Sequence, residues 1–210
     1  VELYYDNSKK LETTSSGATV TGSLGVESSA SGVISAKQTT NNGGFNIFEG
    51  KASDNATKFY VTHNGRVGAA DGIIFGSDTA AANILNDYEE GQWAPNVATG
   101  TISYSNAYYT KVGRLVTIQA KIQSFSNNSS SSAVEIGNLP FTAAVTDVAV
   151  GSVLYSYVSQ TNATVLYINS NTTLGIYGGS SGVFDGITHN ELNNNSNNTT
   201  MFFIATYQTT

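Results

Sequence analysis

The sequence predicts an all-β protein: a short-stranded, trimeric fibre stalk followed by a jelly-roll-like β-sandwich head. Three observations predict the β class. Val116, Ile118, Ala120 and Ile122 alternate with Thr117, Gln119 and Lys121, the period of a half-buried strand. Charged residues make up 11% of the chain, against about a quarter in an ordinary soluble domain, and Gly, Ser, Thr and Asn fill the gap. That mix suits strands with polar turns, and its many β-branched and aromatic residues are unlike typical disorder. The third observation is a hairpin-like pattern that occurs twice in the first third of the chain.

The first copy runs from Leu3-Tyr4-Tyr5 through Asp6-Asn7-Ser8 to Lys9-Lys10-Leu11. The second runs from Phe59-Tyr60-Val61 through Thr62-His63-Asn64-Gly65 to Arg66-Val67. Each then crosses small and polar residues to an apolar run ending in Gly-Ser: Ala18-Thr19-Val20-Thr21-Gly22-Ser23 and Ile73-Ile74-Phe75-Gly76-Ser77. Asn64-Gly65 is the strongest turn signal, because both residues tolerate positive φ. Residues 28–44 read as loops around one short run, Gly32-Val33-Ile34, and Phe45-Asn46-Ile47-Phe48 starts a new strand.

Nothing in residues 1–82 would fill an independent core, and isolated hairpins are marginal in water. Such units hide an apolar face by stacking on a copy. Two imperfect copies are too few for a good solenoid, which favours three chains wound around an axis. One or two helical turns are expected at residues 80–85, capped by Asp78-Thr79 and favoured by Ala80-Ala81-Ala82. They mark the junction to the head, residues 83–210.

From residue 86 onward the chain reads as one compact β domain. Besides 116–122, strands are expected at 101–104, 107–111, 133–136, 148–158, 164–168, 173–177 and 200–207. About eight short strands with frequent turns suggest a sandwich or jelly roll. Met201-Phe202-Phe203-Ile204-Ala205 and Val165-Leu166-Tyr167-Ile168 are apolar on both faces. One face serves the core. Few residues are left to build a helix or loop over the other, so a subunit interface is expected there.

The net charge is −6 with no basic block, which disfavours nucleic acid as a partner. There is no Cys, so neither disulfides nor thiolate metal sites are available. No stretch approaches the roughly 20 apolar residues of a membrane-spanning helix, so no membrane insertion is expected. The chain starts at Val1 without Met or a signal-like segment, and a trimmed or disordered end with a missing preceding region is expected. Asn-x-Ser/Thr triplets such as Asn55-Ala56-Thr57 are expected by chance in so Asn-rich a chain.

Several segments resemble a known family. Ala82-Asn83-Ile84-Leu85-Asn86-Asp87-Tyr88-Glu89-Glu90-Gly91-Gln92-Trp93-Ala94-Pro95 resembles the "LDDYEEGTWTP" segment that opens the C-terminal domain of many tail-fibre and receptor-binding proteins of tailed bacteriophages. Tyr108-Tyr109-Thr110-Lys111-Val112-Gly113-Arg114-Leu115-Val116-Thr117 is similar to that family's "YTKIGRLVT". Ile136-Gly137-Asn138-Leu139-Pro140-Phe141-Thr142 is similar to its "ISGLPFT", and Ala205-Thr206-Tyr207-Gln208-Thr209 to its closing "TYxT". Val1 to Leu11 also resembles a segment of marine phage structural proteins. The resemblance spans most of the chain. It implies a homotrimer in the virion, as a tail or capsid fibre beside other tail or capsid proteins, with a β-rich head used for host attachment. The receptor is not carried over.

The motif residues also have a physical reading. Trp93, the only Trp, follows an acidic, Gly-bearing turn, and its burial would contribute about 1.5–3 kcal/mol. Asp87, Glu89 and Glu90 read as structural partners of Lys111 or Arg114 rather than as a metal or catalytic cluster. Leu139-Pro140-Phe141 reads as a packing corner.

No catalytic residue, metal ligand or cofactor is expected. Glycoside hydrolysis needs two carboxyl groups about 5–10 Å apart, and Glu135, Asp147, Asp185 and Glu191 are scattered. His63 and His189 form no metal-binding pattern. Gly178-Gly179-Ser180-Ser181-Gly182 lacks the Lys of a phosphate cradle and reads as a flexible loop. Sugar recognition needs aromatic faces, amides and hydroxyls, which the loops supply. The receptor-binding candidates are Phe125, Asn127, Tyr155, Tyr157, Tyr177, Phe184, Asp185 and His189, with further amides in 193–198. Three heads acting together would make weak contacts to a host glycan or envelope protein useful.

Overall fold

The computed structural model describes residues 1–24, 46–74, 84–85, 87–159, 162, 164–180, 183–192 and 199–210. The described chain is all-β and divides into two compact units, Val1–Ala70 and Asp71–Thr210. The expected run Gly32-Val33-Ile34, most of the expected helix at 80–85 and the amide tract 193–198 lie outside the described residues.

The first unit holds two three-stranded antiparallel meanders: β1 (Glu2–Tyr5), β2 (Ser8–Thr14) and β3 (Gly17–Val20), then β4 (Asn46–Lys51), β5 (Thr57–Thr62) and β6 (Val67–Ala69). Asp6 and Asn7 join β1 to β2 with φ of 51° and 55°, the backbone that a two-residue hairpin requires. Asn64-Gly65 turns β5 into β6, with Gly65 at φ 81° and its N–H donating to the Thr62 carbonyl. No described residue of this unit is buried. Leu3, Tyr4, Tyr5, Phe48 and Val67 are all exposed. Among the described residues of this unit, the Phe48 and Phe59 rings meet T-shaped at 5.9 Å.

In the second unit, β7 (Ile73–Ile74) pairs with β8 (Ile84–Leu85). This corrects the helix expected through residue 85: β-branched Ile84 and its neighbour join a ladder in place of an i→i−4 bond. It also separates the two hairpin copies. In the first copy the trailing apolar run, β3, pairs with β2, whereas in the second the trailing run pairs onward with β8.

The remaining strands are β9 (Tyr88–Gln92), β10 (Asn96–Val97), β11 (Ser103–Val112), β12 (Leu115–Gln123), β13 (Glu135–Gly137), β14 (Ala149–Ser156), β15 (Val165–Ser170), β16 (Thr173–Ser180), β17 (Val183–Gly186) and β18 (Thr200–Gln208). They form one ten-stranded antiparallel sheet in the order β10-β13-β16-β15-β14-β18-β12-β11-β9, with β17 added to β16. β9 and β10 hold opposite edges, yet only Trp93, Ala94 and Pro95 separate them. Four peptide steps reach at most about 14 Å, so the sheet curls until its edges nearly meet. One face is thereby turned inward, and Val116, Ile118, Ile122, Leu166, Ile168, Leu174, Ile176, Met201 and Phe203 fill one buried cluster.

Three bonds and contacts pin the corner. Trp93 is buried, its Nε1–H donates to the Gln119 carbonyl at 3.1 Å, and its ring packs T-shaped on Phe203. Asn138 Nδ2 donates to the Ala94 carbonyl at 2.7 Å. Across the core, the Tyr207 hydroxyl donates to the Phe141 carbonyl at 2.9 Å, and burial pushes its phenol up to about 12.

Local chemistry explains the departures from the expected strands. The acidic turn before Trp93 is the edge strand β9, in register with β11 so that Glu89 faces Lys111. Lys111 is buried over the Phe141 ring at 5.2 Å, and its Nζ pairs with Asp87 and, at 3.4 Å, with Glu89. The hydrogen bond to Asp87 holds that ammonium above the ordinary lysine range. Glu90 accepts from the Tyr88 hydroxyl at 2.9 Å. The two strands expected at 101–104 and 107–111 are one, β11, bulged where Asn106 takes φ 53°. β14 stops at Ser156 because Tyr157 lies at φ 57°. The glycine-rich stretch expected as a loop continues β16 through Gly178 and Gly179 to Ser180, and β17 pairs with it.

Candidate functional site

β15 and β16 turn Leu166, Ile168, Leu174 and Ile176 into the core. Alternation sends Val165, Tyr167, Gly175, Tyr177 and Gly179 to the outer face. The register places Val165 opposite Tyr177, Tyr167 opposite Gly175, Gly186 opposite Tyr177 and Phe184 opposite Gly179.

Two glycines let the Tyr177 ring lie down on the sheet. A Cβ on Gly175 would come within 2.4 Å of the ring's Cε2, and one on Gly186 within 3.0 Å of its Cε1. The ring therefore covers backbone on both sides, and any larger residue at Gly175 would lift it. At Gly179 a Cβ would meet nothing within 4 Å, so the space beyond the ring stays open.

Tyr167 stands against Tyr177, with ring centroids 5.4 Å apart and planes tilted by 59°. Its hydroxyl donates to Asp147 Oδ1 at 3.1 Å; burial and then that carboxylate push the phenol above its ordinary range. Phe184 rises on the far side with 87% of its surface exposed. Together with Ala149 and Val165 these residues line a cleft of about 330 Å³. At the Gly175 edge of the Tyr177 ring, Asn169 Nδ2 donates to Glu135 Oε1 at 3.0 Å.

A second concave area of about 390 Å³ lies over the middle of the outer face, lined by Gln119, Lys121, Ser152, Leu154, Phe202 and Ile204. Leu154, Phe202 and Ile204 are 72%, 48% and 51% exposed. Lys121 sits over the Phe202 ring at 5.6 Å. Thus the two faces of β18 part completely: Met201, Phe203, Ala205 and Tyr207 are buried, and no described residue of this chain buries Phe202 or Ile204.

Of the residues singled out from sequence, Tyr177 and Phe184 come together in the cleft. Asp185 is exposed beside Phe184, but alternation points it away from the outer face. Tyr157 is exposed on its own turn, and its carbonyl accepts from Thr199 Oγ1.

Four candidates are engaged by the fold itself, two buried and two half-buried. Phe125 and His189 are each 1% exposed and offer no surface to a receptor. Asn127 uses its side-chain oxygen to accept the N–H groups of Ser129 and Ser130, and its carbonyl faces His189 Nδ1 at 3.2 Å. His189 is held further by its own N–H to the Ser132 carbonyl, in a short 3-10 turn, His189–Glu191, whose Glu191 carboxylate accepts from Thr188. Tyr155 lies within β14, half-buried against the core. Three of the four do lie between strands, and local sequence does not say which residues outside strands the fold takes up.

Tyr167 and Asp147 were not singled out for binding. The legible signal was Gly175-Ile176-Tyr177-Gly178-Gly179, a strand in which glycine alternates with an outward tyrosine. No protein-family model matches this chain, and no curated protein matches it significantly.

Proposed function

We propose that this chain is a virion fibre protein that attaches a tailed bacteriophage to its host surface. The observation that carries the reading is the first unit: its described residues form two hairpin meanders with exposed Leu, Tyr, Phe and Val, and none of them is buried. A unit of that kind cannot stabilise itself, since a stable domain of this size buries over half of the surface its unfolded chain exposes. Identical neighbours supply the missing cover most simply, and a trimeric stalk follows. The apolar strip Leu154, Phe202 and Ile204 on the second unit suits the same assembly. The segments resembling phage fibre motifs supply the virion setting, and the second unit acts as the jelly-roll-like head.

Attachment is non-enzymatic in this reading. Glu135, Asp147 and Glu191 each hold a neighbouring side chain in a structural hydrogen bond. The lining of the Tyr167–Tyr177–Phe184 cleft is aromatic and uncharged, which fits a host glycan or envelope protein engaged by several heads at once.

Native mass spectrometry of the 210-residue chain at micromolar concentration should give a trimer; a monomer would overturn the assembly. Saturating protein should block adsorption of the phage to host cells. Trimer without any cell binding would assign a structural or decorating fibre instead. Release of reducing sugar from host envelope glycans would assign a degrading tail spike.

A further inference from the structure

Resting on the attachment reading above, we propose that the Tyr167–Tyr177–Phe184 cleft binds a neutral pyranose ring of a host surface glycan. A pyranose presents a face of C–H groups and an equator of hydroxyls. The lining of the cleft, aromatic, aliphatic and glycine, answers the C–H face. Gly175 and Gly186 give the half-buried Tyr177 ring room over the sheet, where it lines the cleft. Tyr167 and Phe184 stand on either side. The open volume, about 330 Å³, is at the lower end of small-molecule sites, roughly 300–1,000 Å³, and takes one or two sugar rings.

For the hydroxyls, two acceptors lie outside the lining, next to residues that flank it. Asp147 is anchored by the Tyr167 hydroxyl, and Glu135 by the Asn169 amide at the Gly175 edge of the Tyr177 ring. Carboxylates accept from sugar hydroxyls, and charge-assisted bonds of this type are the stronger kind. No lining residue of the cleft is cationic, and the chain carries a net charge of −6. The site therefore disfavours uronic and sialic acids and selects neutral sugars.

Other occupants fit worse. A peptide strand adds to an open sheet edge, whereas β16 is hydrogen-bonded to β15 on one side and to β13 and β17 on the other. A lipid chain would make no use of the exposed Asp147 acceptor beside Tyr167.

Gly179 makes the test clean. Its surroundings are open and its φ is ordinary, so Gly179→Leu fills the cleft without strain. Phe184→Ala removes a side chain that touches little of the fold. Saturation-transfer NMR would use the methyl glycosides of glucose, galactose and mannose, with glucuronic acid and N-acetylneuraminic acid as anionic comparisons. A neutral glycan array would follow on the intact 210-residue chain.

Binding of at least one neutral sugar, with anionic sugars at least tenfold weaker, is expected. Both variants should lose it by at least tenfold while keeping the parent melting temperature. Neutral-sugar binding that survives both substitutions overturns the site, and so does a preference for anionic sugars. Adsorption blocked by the parent chain without any sugar binding overturns this proposal and leaves the attachment reading standing. Sugar binding without adsorption blocking keeps the cleft and removes attachment. Neither activity removes both.

Discussion

Trp93 closes the sheet. It sits between an edge strand and the strand at the opposite edge, and its ring and N–H both reach inward. Trp93→Ala should cost about 3–5 kcal/mol by leaving a cavity at the seam, read as a lower urea midpoint for the second unit. A change under about 1 kcal/mol would mean that the seam is held without it. Tyr207 makes the fold sensitive to alkali. Its phenol is raised to about 12 from an ordinary value near 10, so the folded state favours the neutral form. That contribution is fully present below pH ~10 and disappears as pH rises toward 12. Lys111, also raised, acts in the same direction. Melting temperature should fall across this window, and Tyr207→Phe should flatten the fall; an identical slope in the variant would exclude Tyr207 as its source.

At the scale of elements, β18 separates a core face from an open face by parity. Phe203 faces the core and Phe202 faces outward, one residue apart on a strand bonded on both sides. Phe203→Ala should cost about 3–5 kcal/mol of unfolding free energy. Phe202→Ser with Ile204→Ser should leave the second unit's fold nearly unchanged and weaken the proposed trimer, checked by sedimentation at several concentrations. Loss of folding in the double variant would place those side chains in the chain's own core. The parity was legible from sequence, because alternation over 116–122 and 200–207 is a direct consequence of the pleat. Which parity faces inward on a strand apolar on both sides was not legible. That depends on the neighbours: β12 and β14 put Ile118, Ile122 and Val153 on the Phe203 side and Gln119, Ser152 and Lys121 on the other. β16 is the opposite case. Its glycines looked like a loop because glycine is poor in strands by itself, yet here aromatic rings cover the glycine backbone and restore the packing.

For the whole molecule, the two units differ in kind. Val1–Ala70 holds two meanders and no buried described residue, whereas Asp71–Thr210 encloses a single large core. Val1–Ala70 expressed alone should give a coil-like circular dichroism spectrum at micromolar concentration, and Asp71–Thr210 alone a cooperative thermal transition. A cooperative transition in the isolated first unit would remove the main argument for identical neighbours. The sequence by itself determined the β class, the weakness of the first segment and the existence of most strands, since composition and period-two patterning act locally. It also determined the Asp6-Asn7 and Asn64-Gly65 turns, whose backbone demands few other residues meet. Only the tertiary structure decided that β9 is an edge strand, that Phe125 and His189 belong to the interior, and that Tyr167 and Tyr177 share a cleft. Each of these depends on which distant strand lies alongside, and strand order across a curled sheet is set by the packing of the whole core, not by any one segment.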